Sequence, residues 1–61
     1  MNEYVKCKSE IYEHGMNKMD FTVGNLYQVT FNSKYECVIV DDFEYAQWFT
    51  KEEVERFFSY E

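Results

Sequence analysis

The sequence predicts a mainly β domain: a small antiparallel sheet of four to five short strands, bent into a partly closed barrel, with one short C-terminal helix. Three observations predict it. Apolar residues recur with period two along most of the chain, the pattern of half-buried strands. The period changes to three and four only after Thr50. Turn signals at Gly24-Asn25, Asn32-Ser33-Lys34 and Asp41-Asp42 separate the strands at short intervals. A chain of 61 residues holds one domain, residues 1–61, and is too short for a two-sheet sandwich of ordinary size.

Residues 3–9 alternate, with Val5 and Cys7 on one side and Tyr4, Lys6 and Lys8 on the other. Residues 10–20 carry His14, Gly15, Asn17 and Asp20 without clear periodicity and read as a loop. Leu26 to Phe31 alternates again, with Tyr27, Val29 and Phe31 expected to face one way. Asn32-Ser33-Lys34 is a short hairpin connection. Tyr35 to Val40 contains the run Cys37-Val38-Ile39-Val40, which reads as a central strand covered on both faces. Asp41-Asp42 opens the next turn. Glu44 to Phe49 is the fourth strand, with Ala46 and Trp48 opposing Tyr45, Gln47 and Phe49. The expected core is Tyr27, Val29, Val38, Val40, Phe49 and Val54.

Thr50-Lys51-Glu52-Glu53 has the form of a capping box, in which residue 50 caps the backbone N–H of residue 53 and the Glu53 side chain reaches back. Phe49 and Val54 occupy the two positions of a hydrophobic staple. Val54, Phe57 and Phe58 then share one helical face. The helix is expected from Lys51 to Phe57 or Phe58. It is too short to stand alone and must pack on the sheet. Phe58-Ser59-Tyr60 can form a last short strand.

Composition narrows the function classes. Apolar residues make up 46% of the chain and aromatics 21%, enough for a packed core in a short chain. Net charge is −6, which disfavours sequence-nonspecific binding to a phosphate backbone. No apolar run approaches the length of a membrane helix, and Met1-Asn2-Glu3-Tyr4 does not resemble a signal peptide. The acidity is uneven. Residues 1–34 balance four lysines against four acids, so residues 35–61 carry the whole net charge and eight of the thirteen aromatics. Such a half is either a soluble surface over an aromatic core or an acidic, aromatic-studded face for a basic partner.

Three segments carry a family resemblance: Phe21-Thr22-Val23-Gly24-Asn25-Leu26-Tyr27-Gln28-Val29, Val38-Ile39-Val40-Asp41-Asp42, and Trp48-Phe49-Thr50-Lys51-Glu52-Glu53-Val54-Glu55-Arg56-Phe57-Phe58. Together they resemble the small SH3-like barrel proteins of phages and prophages over nearly the whole chain. The resemblance implies an SH3-like barrel and a non-enzymatic accessory or host-interaction role, in the host cytoplasm if the protein is phage-encoded. The shared motifs mark turns and core positions and carry no catalytic group. Phe43 stands where many relatives have a turn glycine, and the tail is unusually acidic.

The residues offer little chemistry. Cys7, Cys37 and His14 lack the close pairs of a zinc site and read as two buried thiols and a surface histidine. A Cys–His nucleophile pair would need a third orienting group. Asp41-Asp42 reads as a turn whose side chain bonds backbone, and Glu52 and Glu53 suit the positive end of a helix. A cation at Asp41, Asp42 and Glu44 does not fit an EF-hand spacing. No cofactor and no metal is expected, and no enzyme.

Two functions remain. In the first, the chain binds and inhibits or modulates a host protein with a basic surface, with carboxylates standing in for the phosphates of nucleic acid. Asp41, Asp42, Glu44, Glu52 and Glu55 would steer and register the complex, and Tyr45 and Trp48 would anchor it. Trp48 serves this role only if exposed; the other reading buries it in the core. In the second, Lys6, Lys8, Lys18 and Lys34 bind nucleic acid directly, with tyrosines as stacking platforms. The chain is expected to act as a monomer or small homo-oligomer, away from membranes.

Overall fold

Period-two alternation folds as antiparallel strands around a single core. A computed structural model describes residues 3–61. Met1 and Asn2, part of the N-terminal reading above, lie outside the described residues. The strands are β1 (Glu3–Cys7), β2 (Tyr12–Glu13), β3 (Asn17–Lys18), β4 (Leu26–Asn32), β5 (Glu36–Val40), β6 (Ala46–Thr50) and β7 (Phe58–Tyr60). One helix, α1 (Lys51–Phe57), joins β6 to β7. Five strands form one curled sheet in the order β6-β5-β4-β1-β7, every pair antiparallel. A long arm follows the first strand and a helical turn precedes the last. With that strand order, this is an SH3-like half-barrel.

The stretch read as a loop is more ordered than expected. Tyr12 pairs with Lys18 and Glu13 with Asn17 in a two-stranded hairpin, β2–β3. Two-residue strands are too short for alternation to register in sequence. The arm is tied to the barrel at its base, where Cys7 N donates to Asn25 O and Gly24 N to Cys7 O. Gly24 takes φ +94°, open to glycine and strained for any other residue. Ile11 and Phe21 fold inward from the arm and are fully buried.

The core gathers Val5, Cys7, Ile11, Phe21, Tyr27, Val29, Cys37, Ile39, Phe49, Val54 and Phe58. Phe21 lies at its centre, edge-on to Tyr27 at 4.8 Å, Phe58 at 5.3 Å and Phe49 at 5.7 Å between ring centroids. Edge-to-face rings add roughly 0.5–1.5 kcal/mol each beyond area burial, which helps so short a chain close a core.

The facing of Phe31 and the burial of Val40 need correction. Phe31 does not face inward with Tyr27 and Val29. Val29 pairs with Ile39 but Phe31 pairs with Val38, so β4 carries an extra residue at a β-bulge, and the bulge turns Phe31 to the outer face. Val38 is buried as expected, on that outer face and outside the inner cluster. Val40 is only half-buried and lies outside the core cluster. Period two cannot reveal a bulge, because one inserted residue reverses every later side chain.

The helix forms as its sequence implies. Thr50 Oγ1 accepts from Glu53 N at 3.2 Å, and Glu53 Oε1 accepts from Thr50 N at 2.9 Å. Phe49 before the cap and Val54 after it are both in the core. The helix ends at extended Phe58, whose N–H still donates to Val54 O.

Candidate partner-binding surface

The predicted surface runs from the β5–β6 turn, along β6, to α1. The turn begins with Asp41, and its geometry corrects one expectation. Asp41 is 5% exposed and cannot present its charge to a partner. Its Oδ1 accepts from Phe43 N and Tyr45 N, both at 2.9 Å, and its Oδ2 from the Gln47 side chain at 3.0 Å. Both carboxylate oxygens are thus engaged inside the protein. Asp41 builds the turn, the second role its sequence suggested. The expected strand start at Glu44 moves to Ala46 for the same reason: residues 41–45 are held as a turn, with Asp41 N donating to Tyr45 O and Glu44 N to Asp41 O. Glu44 takes φ +66°, a left-handed conformation rare for a residue with a Cβ.

Asp42 is exposed but partly engaged. Its Oδ1 accepts from Tyr27 Oη at 2.7 Å and its Oδ2 from Thr22 Oγ1 at 3.0 Å. Thr22 N donates in turn to Tyr27 Oη at 2.6 Å. The network ties the arm to the β5–β6 turn. Burial, and next the bond donated to Asp42, push the Tyr27 phenol above its ordinary pKa.

The remaining predicted residues stand free. Glu44, Tyr45, Trp48, Glu52 and Glu55 are all exposed. Among the described residues no lysine or arginine lies within 4.0 Å of a carboxylate, and the one ionisable pair is His14 Nε2 to Glu13 Oε1 at 3.9 Å. These acids therefore keep their full field toward solvent.

Trp48 is 62% exposed and points to the outer face of the sheet, which resolves its two readings in favour of the surface. Its ring lies 5.6 Å from Phe31, and the cross-strand row Phe31, Val38, Trp48 places the pair over Val38. Phe43, at the turn tip, is exposed as well. Sequence reasoning counted Phe43 only among the aromatics of the acidic half and as a departure from the pattern it resembles, and grouped Phe31 with Tyr27 and Val29.

A groove of about 390 Å³ lies beside β6. Its walls include Tyr12, Glu13 and Met19 from the arm, Trp48 from β6, and Glu53 and Phe57 from α1. Apart from Trp48, none of these was predicted as a site residue. The hairpin that brings Tyr12 and Glu13 there left no readable signal, and Glu53 was assigned to the cap, which it also serves.

The lysines of the second reading are dispersed. Lys6 pairs with Leu26 at the start of β4, whereas Lys34 lies beyond Asn32 at the other end, so the length of β4, about 20 Å, separates them. Lys18 is on the arm hairpin, and Lys34 Nζ sits over the Tyr35 ring at 5.6 Å. Both cysteines are free and buried, and burial pushes both thiols above their ordinary pKa. Among the described residues, no group of three or more His, Cys, Asp or Glu side chains is arranged to hold a metal ion, and no helix is long and apolar enough to cross a membrane. No family model, curated protein or solved structure matches the chain.

Proposed function

We propose that this protein is a small binding module that docks on a basic surface of another protein and modulates it, in the manner the phage-family resemblance implies. Where that surface normally holds nucleic acid, the carboxylates occupy the positions of phosphates and block it. The supporting observation is the pairing of unbridged acids with exposed aromatics along one stretch of chain. Glu44, Glu52 and Glu55 flank Tyr45 and Trp48, with Phe43 at the turn tip. Charges of this kind raise the association rate, and exposed aromatic rings supply the area that holds a complex. Asp42 adds charge but is held by Tyr27 and Thr22, and Asp41 contributes only by building the turn.

Affinity capture from a host lysate, followed by binding kinetics with the captured protein, tests the reading. Charge reversal belongs at Glu44, Glu52 and Glu55, because reversing Asp42 would also break the Tyr27 network. The triple reversal to lysine should slow association at least tenfold and flatten its salt dependence, since screening acts over about 8–10 Å at physiological salt. If the reversal leaves binding intact while Lys6→Glu or Lys8→Glu abolishes it, the lysine-face reading replaces this one.

A further inference from the structure

We propose that the free edge of β6 accepts an extended, lysine- or arginine-bearing segment of the partner as a sixth strand, laid into the groove between β6 and the β2–β3 arm. This deepens the acidic-surface reading, on which it rests, by naming how the partner is held.

The edge follows from hydrogen-bond parity. Asp41 N donates to Tyr45 O at 2.9 Å and Lys51 N to Tyr35 O at 3.1 Å, so these opposing residues form hydrogen-bonded pairs. Alternation along an antiparallel ladder extends the pattern to Ile39–Gln47 and Cys37–Phe49. The N–H and C=O groups of Ala46 and Trp48 therefore point away from β5. The next group in that row, Thr50 N, is taken by Glu53 Oε1. The groove follows this edge: Ala46, Gln47, Trp48 and Phe49 all line it, both parities of the strand, and no residue of β5 does.

The opposite sheet edge offers less. Lys8 N donates to Phe57 O and Glu61 N to Tyr4 O, and Phe58 N donates to Val54 O. The Phe58 C=O and the backbone groups of Tyr60 are left outward there, with the Phe58 N–H already taken. Among the described residues of the two sheet edges, only β6 presents two successive outward residues with both N–H groups free, beside a groove.

Charge selects the occupant. Glu13 on the arm and Glu53 on α1 line the groove from two sides; His14, 3.9 Å from Glu13, also lines it, and no lysine or arginine does. A basic segment places its cations between them. A second copy of this chain would bring an equal charge of −6 and the same two glutamates against themselves. In an added strand, alternate side chains face the groove and the outer face. One set then meets Glu13 and Glu53, and the other lies beside the Phe31–Trp48 pair.

The test uses the full chain and three synthetic eight-residue peptides. One alternates lysine with valine and threonine, one replaces each lysine with glutamate, and one keeps the lysines but is N-methylated at alternate residues. Amide hydrogen exchange is followed by NMR. In the free protein Gln47 and Phe49 should exchange slowly and Ala46 and Trp48 fast. The basic peptide should slow exchange at Ala46 and Trp48 at least tenfold, and the N-methylated and acidic peptides should not. Glu13→Gln with Glu53→Gln should weaken the basic peptide about tenfold, and glutamine at 53 keeps the capping box. Ala46→Pro should abolish binding while leaving the fold, because its N–H makes no ladder bond. If the basic peptide leaves Ala46 and Trp48 unprotected at millimolar concentration, strand addition is overturned. Equal binding of the N-methylated peptide also overturns strand addition but leaves the acidic-surface reading standing. Equal binding of the acidic peptide overturns that reading itself. A dimer of the free protein that already protects Ala46 and Trp48 replaces the partner strand with a second copy.

Discussion

The two faces of β4, β5 and β6 are both apolar, yet they are closed by different means. On the inner face, Cys37, Ile39 and Phe49 are covered by the arm, β1 and α1, and each is almost wholly removed from water. On the outer face Val38 is equally buried, but its cover is Phe31 and Trp48, which are 48% and 62% exposed. The inner face is finished by the fold. The outer face is finished only by its own side chains, and its large rings still meet water. Exposed area of that kind is available to a partner at little structural cost, whereas inner area is not.

The largest effect that separates the two faces is a ring deletion on each. Phe21→Ala removes the central ring of the inner cluster and should cost about 3–5 kcal/mol. That is a large share of the stability of so small a domain, so the variant should be largely unfolded at 37 °C. Trp48→Ala removes a larger side chain from the outer face, yet should cost only about 1 kcal/mol, the scale of one cross-strand pair. Urea unfolding of both variants checks this. Comparable losses would mean that the outer row is a second core rather than a surface.

The two adjacent aspartates carry the same contrast into the turn. Asp41→Ala strands two backbone N–H groups and the Gln47 amide and should cost about 3 kcal/mol. Asp42→Ala should cost about 1 kcal/mol, because its partners lie near water and Tyr27 Oη keeps the bond from Thr22 N. The loss at Asp41 should appear as thermal destabilisation, with partner association unchanged wherever the protein remains folded. If Asp42→Ala proves the costlier, the Tyr27 network rather than the Asp41 turn fixes the β5–β6 connection.

Much of this was legible in the sequence. The capping box, the helix from Lys51 to Phe57, the turn at Gly24-Asn25 and the final strand at Phe58-Ser59-Tyr60 all rest on neighbours within a few residues, where local chemistry decides. The bulge in β4 was not legible, and with it went the facing of Phe31. The same residues fit either register until β5 is laid beside them. Asp41 and Asp42 look alike in sequence, and only the fold of residues 43–47 around the first makes one structural and the other a surface charge. The groove was illegible for the same reason, since the arm and α1 are far apart in the chain.

Alkali should separate the inner titratable groups from the surface. Cys7, Cys37 and Tyr27 are core residues, and burial raises all three above their ordinary values of about 8.5 for a thiol and 10 for a phenol. A raised folded pKa means that the native state holds its proton longer than the unfolded chain. The stability these groups contribute is full below the unfolded values and is lost as pH rises through the folded ones. Unfolding free energy should therefore hold near pH 7–8 and decline from about pH 8.5 upward. Substituting both cysteines with alanine should delay the decline to the phenol range. A decline that begins at the same pH in that variant would assign it to groups outside the core.

The smallest effect expected is the most informative about function. The chain uses glycine at two left-handed positions, Gly15 and Gly24, but keeps a histidine, His14, at φ +52° in the arm hairpin and a glutamate at φ +66° in the β5–β6 turn. A left-handed residue with a Cβ is strained, and glycine there relieves the strain at the expense of a freer unfolded chain. Glu44→Gly should therefore stabilise the protein by about 0.5–1 kcal/mol, read as a higher urea midpoint. Glu44→Asn keeps a side chain that tolerates the conformation and should fall between glycine and glutamate. Strain is retained where a side chain is used, and Glu44 stands between the exposed rings of Phe43 and Tyr45. Both substitutions remove the same charge, so both should slow association with a basic partner equally at low salt, although they differ in stability. If Glu44→Gly stabilises the fold and leaves association unchanged at every salt concentration, the strained glutamate is no part of the docking surface, and the acidic contribution comes from the remaining exposed acids.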